Sequence, residues 1–129
     1  RDAAPSTLGD YASLAILGGV MSVNNDLPSL REAEALIREA RADGKPVIGH
    51  CLGGQLIAKA LGARLPLAVP AGAERIAGND ARANQAFAID TLLAMQFHIE
   101  IDAAKHALWL VRRNVSFRAV SLTEIDARD

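Results

Sequence analysis

Cys51 is the sole cysteine of the chain, and its setting is distinctive: Val47-Ile48-Gly49-His50-Cys51-Leu52-Gly53-Gly54-Gln55 reads as an apolar strand, a G-x-C-x-G turn and the start of a helix. Glycines two residues to either side of the cysteine leave room for a sharp reversal that a Cβ would obstruct. The turn exposes the side chain at the carboxyl end of the strand, where open α/β sheets bind ligands. A helix beginning at Leu52 aims its N-terminus at the sulfur and favours a thiolate there. The backbone N–H of Leu52 would face an oxyanion formed beside it. A lone cysteine is otherwise often a small buried apolar residue. The glycine frame is what separates Cys51 from that case.

A thiolate nucleophile needs a base, and the chain offers three histidines. His50 is the strand neighbour of Cys51, and successive strand side chains point to opposite faces, so it is poorly placed to meet the sulfur. His106 falls within an amphipathic helical pattern. His98 follows the apolar run Leu92 to Gln96, at the strand end where Cys51 should also lie, and Glu100 comes two residues later. A carboxylate so placed can accept the imidazole N–H, fix its tautomer and stabilise the imidazolium. Cys51, His98 and Glu100 therefore form a candidate triad; the competing account makes His98 and Glu100 ordinary loop residues at a strand end.

The elements that must position these groups are legible as an alternation of short apolar runs and amphipathic stretches, which predicts an α/β fold. Leu14 to Leu17, ended by Gly18-Gly19, reads as a buried parallel strand. Asn24-Asn25-Asp26 offers caps and Pro28 a first helical turn for a helix carrying Leu30, Ala33, Leu36, Ile37 and Ala40 and ending at Gly44. Residues 45–50 form the next strand, and Leu52 to Leu61 a helix closed by Gly62. Pro66, Pro70 and Gly72 mark a loop before short strands at 74–77, 85–89 and 92–96. Asp102 can cap a last helix with Ala103, His106, Ala107 and Leu110. Residues 114–129 carry no clear pattern.

Composition narrows the function classes. A chain of 129 residues, half of them hydrophobic, supports a single domain with one modest core. Its net charge is −1, and Arg112-Arg113 is the one adjacent basic pair, so nucleic acid is a poor partner. The longest uncharged stretches fall short of the ~20 residues needed to cross a bilayer, so no membrane role is expected. Arg1-Asp2-Ala3-Ala4-Pro5 lacks the basic start and apolar run of a secretory signal. One cysteine and scattered histidines supply neither a disulfide nor zinc-ligand spacing. Cytoplasmic chemistry without metal is the expectation.

These residues resemble the class I glutamine amidotransferases, the Cys-His-Glu triad family. The matching pieces, in the family's order, are Leu17-Gly18-Gly19-Val20-Met21-Ser22, Pro46 to Gly62 around Cys51, Asn84-Gln85-Ala86-Phe87, and Gln96-Phe97-His98-Ile99-Glu100. Within the family, the stretch after Leu17 and His98-Ile99-Glu100 look most like the stand-alone GMP-synthase-like members. The resemblance implies a flavodoxin-like open, mostly parallel sheet with helices on both faces. It implies Cys51 as nucleophile, His98 as base and acid, Glu100 as its orienting partner, Gly19 and Leu52 as oxyanion-hole donors, and Gln55 and Phe87 as residues lining a glutamine site. The reaction implied is hydrolysis of a glutamine or γ-glutamyl amide without a cofactor. Ammonia would pass to a synthase on a separate chain, since no phosphate-binding G-x-x-x-x-G-K-[ST] occurs here.

Val20 and Ile99 stand where the family commonly has proline. The family domain is also longer, so we expect a strand and helix to be missing before Asp10 and a segment to be missing near residues 65–67. Two other readings stay open. A γ-glutamyl peptide hydrolase would use the same triad with a larger pocket, and a non-catalytic regulatory domain would use the fold alone. A redox-sensing relative needs no base, and His98-Ile99-Glu100 argues against it.

Overall fold

In the computed structural model, which describes residues 4–64, 68–97 and 102–112, the elements are β1 (Leu14–Ile16), α1 (Pro28–Ala42), β2 (Val47–His50), α2 (Leu52–Ala60), β3 (Glu74–Ala77), β4 (Ala86–Ile89), β5 (Leu92–Met95) and α3 (Ala103–Arg112). The chain divides into two compact units, residues 1–98 and 99–129. The first holds the sheet with α1 and α2; the second holds α3.

The five strands form one open sheet in the order β1-β2-β5-β4-β3. β1, β2 and β5 are parallel, and β4 pairs antiparallel with both β5 and β3. It follows that β4 alone runs against the other four described strands. This is the α/β fold that the alternation of elements predicts, with the mostly parallel, flavodoxin-like sheet that the resemblance implies. β4 and β5 are joined by Asp90-Thr91, with Asp90 at φ 52°. Aspartate tolerates that left-handed conformation better than most residues, which permits a two-residue hairpin turn. Asp90 also pairs with Arg41 at the end of α1.

Alternation along the strands splits the sheet into two faces. Leu14, Val47, Leu92 and Ile89 form one cross-strand row, and Ile16, Gly49, Ala94 and Phe87 another on the same face. These rows meet α2, whose Leu56, Ile57 and Ala58 are fully buried, and α1 closes over α2 and β1 with Leu30, Leu36, Ile37 and Ala40. The intervening row, Ala15, Ile48, Leu93 and Ala88, is more open.

Both helices of the first unit end in the same way. The N–H groups of Gly44 and Lys45 return to Arg41 and Ala40, and those of Gly62 and Ala63 to Lys59 and Ala58. Gly44 and Gly62 sit at φ 66° and 79°, so each helix closes in a Schellman motif at its glycine. The start of α1 differs from expectation. Its N-cap is Leu27, with no side-chain cap. Pro28, as the first helical residue, removes one of the N–H groups that a helix start leaves unpaired, while Asn25 accepts from the Ser22 N–H and Asp26 pairs with Arg31. Among the described residues no helix is long and apolar enough to cross a membrane.

α3 begins at Asp102, whose Oδ1 accepts the Lys105 N–H at 2.8 Å, the cap its sequence predicts. That bond, chief among the interactions at the carboxyl, holds Asp102 below the usual aspartate range.

The segment before β1 is tied to α1 by Glu39, whose carboxylate accepts the Thr7 hydroxyl and the Leu8 N–H and so seats buried Leu8 in the core. The Thr7 hydrogen bond, helped by Leu8, Gly9 and Lys45, lowers the Glu39 carboxyl below the ordinary 4.5. A depressed carboxyl contributes stability above its unfolded value and loses it as pH falls through the folded one. Chemical denaturation of Glu39→Gln should therefore show lower stability than the parent at neutral pH and a shallower loss below about pH 4.5. Parallel pH profiles would remove Glu39 from the acid response.

Candidate active site

Cys51 lies between β2 and α2 with φ 51° and ψ −108°, a conformation that L-residues rarely adopt. Such a residue costs of order 1–3 kcal/mol and persists only where its surroundings hold it. Here its N–H donates to Met95 O at 2.8 Å, and its carbonyl accepts the Gln55 N–H at 3.1 Å. One end of the strained unit is thus fastened to β5 and the other to the first turn of α2.

The approach of α2 to the sheet depends on missing side chains. A Cβ on Gly53 would lie 2.1 Å from the carbonyl oxygen of Ile16 in β1, and a Cβ on Gly49 would lie 2.5 Å from the backbone of Gly53. No rotamer relieves a clash with backbone. The two glycines that frame the cysteine in the sequence are therefore the points where strand and helix touch, and they place the N-terminal turn of α2 at the carboxyl ends of β1 and β2. Leu52, the first residue of α2, is buried. Gly19, in the loop after β1, lies against it: a Cβ there would come 2.9 Å from Leu52 Cδ2.

That loop is braced from behind. Lys59 Nζ on α2 donates to Val23 O at 3.1 Å and to Glu34 Oε1 on α1 at 2.8 Å, and Arg38 holds the second Glu34 oxygen at 3.0 Å. Glu34 is buried, and a buried carboxylate needs such partners.

The structure brings together Cys51, Leu52, Gly19 and Gln55. Gln55 is half-buried and donates from Nε2 to Gln96 Oε1 at 2.8 Å; Gln96 Nε2 in turn reaches Cys51 Sγ at 3.7 Å. Sequence reasoning assigns Gln96 no role, because its nearness to Cys51 appears only once β5 pairs with β2. Phe87 is fully buried in β4, two strands from β2, as a member of the core. His50 ends β2 on the sheet face opposite Gly49, as alternation requires. His98 and Glu100 lie outside the described residues, as do residues 65–67, where the family's length predicts a missing segment. What is described is the route to them: β5 is hydrogen-bonded in parallel to β2, with Met95 opposite His50, so the chain leaving β5 departs beside Cys51. Among the described residues no group of three or more His, Cys, Asp or Glu is arranged to hold a metal.

A thiol on a strained strand-to-helix turn at the carboxyl edge of an open α/β sheet defines the class of nucleophile-elbow proteins. Comparison with known proteins narrows this. The family described as glutamine amidotransferase class-I matches residues 2–86, and the chain belongs to that family. A crystal structure of a glutamine amido transferase from Methylobacillus flagellatus is 33% identical with a TM-score of 0.78, over 88% of this chain and 61% of that one. A glutamine amidotransferase structure from Thermotoga maritima has the same fold at 24% identity and a TM-score of 0.74, over 88% of this chain and 66% of that one. The chain thus spans less than two thirds of the length of either. No curated protein matches it.

The glycine contacts give a direct test of the elbow. Gly53→Ala must push α2 off β1, whereas Gly62→Ala meets nothing within 4 Å. We expect Gly62→Ala to fold with a loss of about 1 kcal/mol, and Gly53→Ala to lose several times that by denaturant titration. Equal losses would mean that the Gly53–Ile16 contact does not set the position of α2.

Proposed function

We propose that the chain carries the glutaminase centre of a class I amidotransferase and releases ammonia from the side-chain amide of glutamine. The observation that carries this is Cys51 itself: a strained cysteine at the N-terminus of α2, followed by Leu52, whose side chain lies against Gly19. Family membership and the sequence His98-Ile99-Glu100 support the remaining roles.

In this reading the Cys51 thiolate attacks the carboxamide carbon, and the charge on oxygen is met by the N–H groups of Gly19 and Leu52. The C–N bond then breaks, with the nitrogen taking a proton from the His98 imidazolium and leaving as ammonia. A water molecule gives its proton to His98 and attacks the γ-glutamyl thioester. The C–S bond breaks, glutamate leaves, and the thiolate is restored. Glu100 orients His98 and stabilises its charged form. Gln55, half-buried one turn along α2 from the sulfur, would contact the substrate. The ammonia acceptor would be a synthase, and the setting cytoplasmic. No step requires a cofactor.

The test is ammonia release from L-glutamine by the purified protein, with a γ-glutamyl peptide in parallel. Cys51→Ala should lower release by roughly 10⁴-fold or more while sparing the fold; an active variant excludes Cys51 as nucleophile. Release from the peptide alone would favour a γ-glutamyl hydrolase, and silence toward both substrates a regulatory domain.

The two triad partners should differ in weight. Because Glu100 acts through His98, Glu100→Gln should reduce kcat/KM less than His98→Ala. Equal losses in steady-state kinetics would show that the carboxylate does more than orient.

A further inference from the structure

Gln96 takes no part in the proposed reaction, yet its carboxamide is wedged between Cys51 and Gln55, two side chains that the reaction uses. Its backbone N–H is tied to Gln85 O at 2.8 Å, just ahead of β4, so its position is set by the sheet. Its Oε1 accepts from Gln55 Nε2 at 2.8 Å, and its Nε2 reaches Cys51 Sγ at 3.7 Å, within the range of a hydrogen bond to sulfur. All three side chains are half-buried, where such bonds are screened less than in open water.

A carboxamide has an acceptor end and a donor end, and which end faces the sulfur decides its effect. Rotating the Gln96 amide by half a turn would set its NH₂ against the Gln55 NH₂ and its carbonyl against the sulfur. With the Gln55 amide oriented as it is, the donor end of Gln96 stays on Cys51. We propose that Gln96 is a thiolate-holding residue of this site, an N–H donor to the Cys51 sulfur whose acceptor end is taken up by Gln55. The inference rests on Cys51 being the nucleophile. It gives Gln55 a second duty, since the same contact that orients the Gln96 amide restrains Gln55 toward the sulfur. Hydrogen bonds to charged groups are the stronger kind. This one is present while the sulfur is anionic and is given up as the S–C bond forms.

The experiment measures alkylation of Cys51 by iodoacetamide at pH 7, together with kcat and KM for L-glutamine, in the parent chain, Gln96→Leu and Gln96→Glu. Leucine removes both contacts. Glutamate is nearly isosteric and still accepts from Gln55, but presents a carboxylate to the sulfur. A donor to the anionic sulfur favours the thiolate and partly damps its nucleophilicity, the first effect being the larger. Alkylation should therefore slow about threefold in Gln96→Leu and further in Gln96→Glu. KM should rise in Gln96→Leu, where Gln55 loses its partner, and stay near the parent value in Gln96→Glu, with kcat reduced in both. A space-filling role predicts the reverse order, with glutamate the milder change. Alkylation at the parent rate in Gln96→Glu overturns the proposal, and this variant decides the matter if the leucine variant misfolds. Alkylation needs no substrate: a parent chain inactive on glutamine would sink the proposed reaction while the alkylation order still judges Gln96. An active parent with unchanged alkylation would sink Gln96 alone.

Discussion

A helix can lie directly on the backbone of a strand only where no Cβ intervenes, and α2 lies on β1 at that limit. With 2.1 Å between a notional Gly53 Cβ and the Ile16 carbonyl oxygen, no other residue fits without moving one element off the other. The other features of the site follow from this contact. It brings Leu52 to the carboxyl edge of the sheet and carries Gln55 toward the end of β5. It also leaves the chain between β2 and α2 no room to turn except through the conformation seen at Cys51. The same proximity lets Ile57 and Leu56 fill the space over Val47 and Leu92, so the core and the elbow are parts of one packing arrangement.

The topology supplies the second constraint. Only parallel neighbours deliver their carboxyl ends to the same edge of a sheet, and β1, β2 and β5 are adjacent and parallel. Three connecting segments therefore leave the sheet side by side: the loop with Gly19, the turn with Cys51, and the stretch beginning at Gln96. Each is tied to its neighbour or braced by a helix. Cys51 N–H is bound by Met95 O, and Gln96 contacts both Cys51 and Gln55. Lys59 reaches from α2 to Val23 in the loop after β1 while neutralising Glu34 on α1. The buried carboxylate couples the two helices and the loop that carries Gly19, which gives this ion-pair cluster a positional role.

Much of this is legible in the amino-acid sequence because the signals are local. Gly49 and Gly53 report a close approach, Gly44 and Gly62 report helix ends, and Pro28 with the spacing of Leu30, Leu36 and Ile37 reports α1. Where the sequence misleads, two local signals compete. Asn24-Asn25-Asp26 has the chemistry of a cap, but Asn25 is used by the turn at Ser22, and the cap position falls to Leu27. Phe87, which reads by resemblance as lining a substrate site, is fully buried in β4, and the face of a strand that is covered cannot be told from alternation alone. The strand order is not legible either, because β2 and β5 are joined across a wide gap in sequence by register alone. For the same reason nothing local marks Gln96: its partners Gln55 and Cys51 become neighbours only after β5 has slotted in next to β2.

Strain at Cys51 persists because relaxing it is costly elsewhere. To reach an ordinary conformation, Cys51 would have to swing the first turn of α2 away from the sheet, breaking its bond to Met95 and pulling buried Leu56, Ile57 and Ala58 out of the core. Burying a side chain such as leucine is worth about 1.5–3 kcal/mol, and a strained residue costs of order 1–3 kcal/mol, so the packing of α2 outweighs the strain. A substitution deep under α2 can therefore disturb the geometry at the sulfur without touching it. The same balance explains why the cysteine occupies this position rather than a relaxed one nearby: the helix that exposes it is also the helix that closes the core.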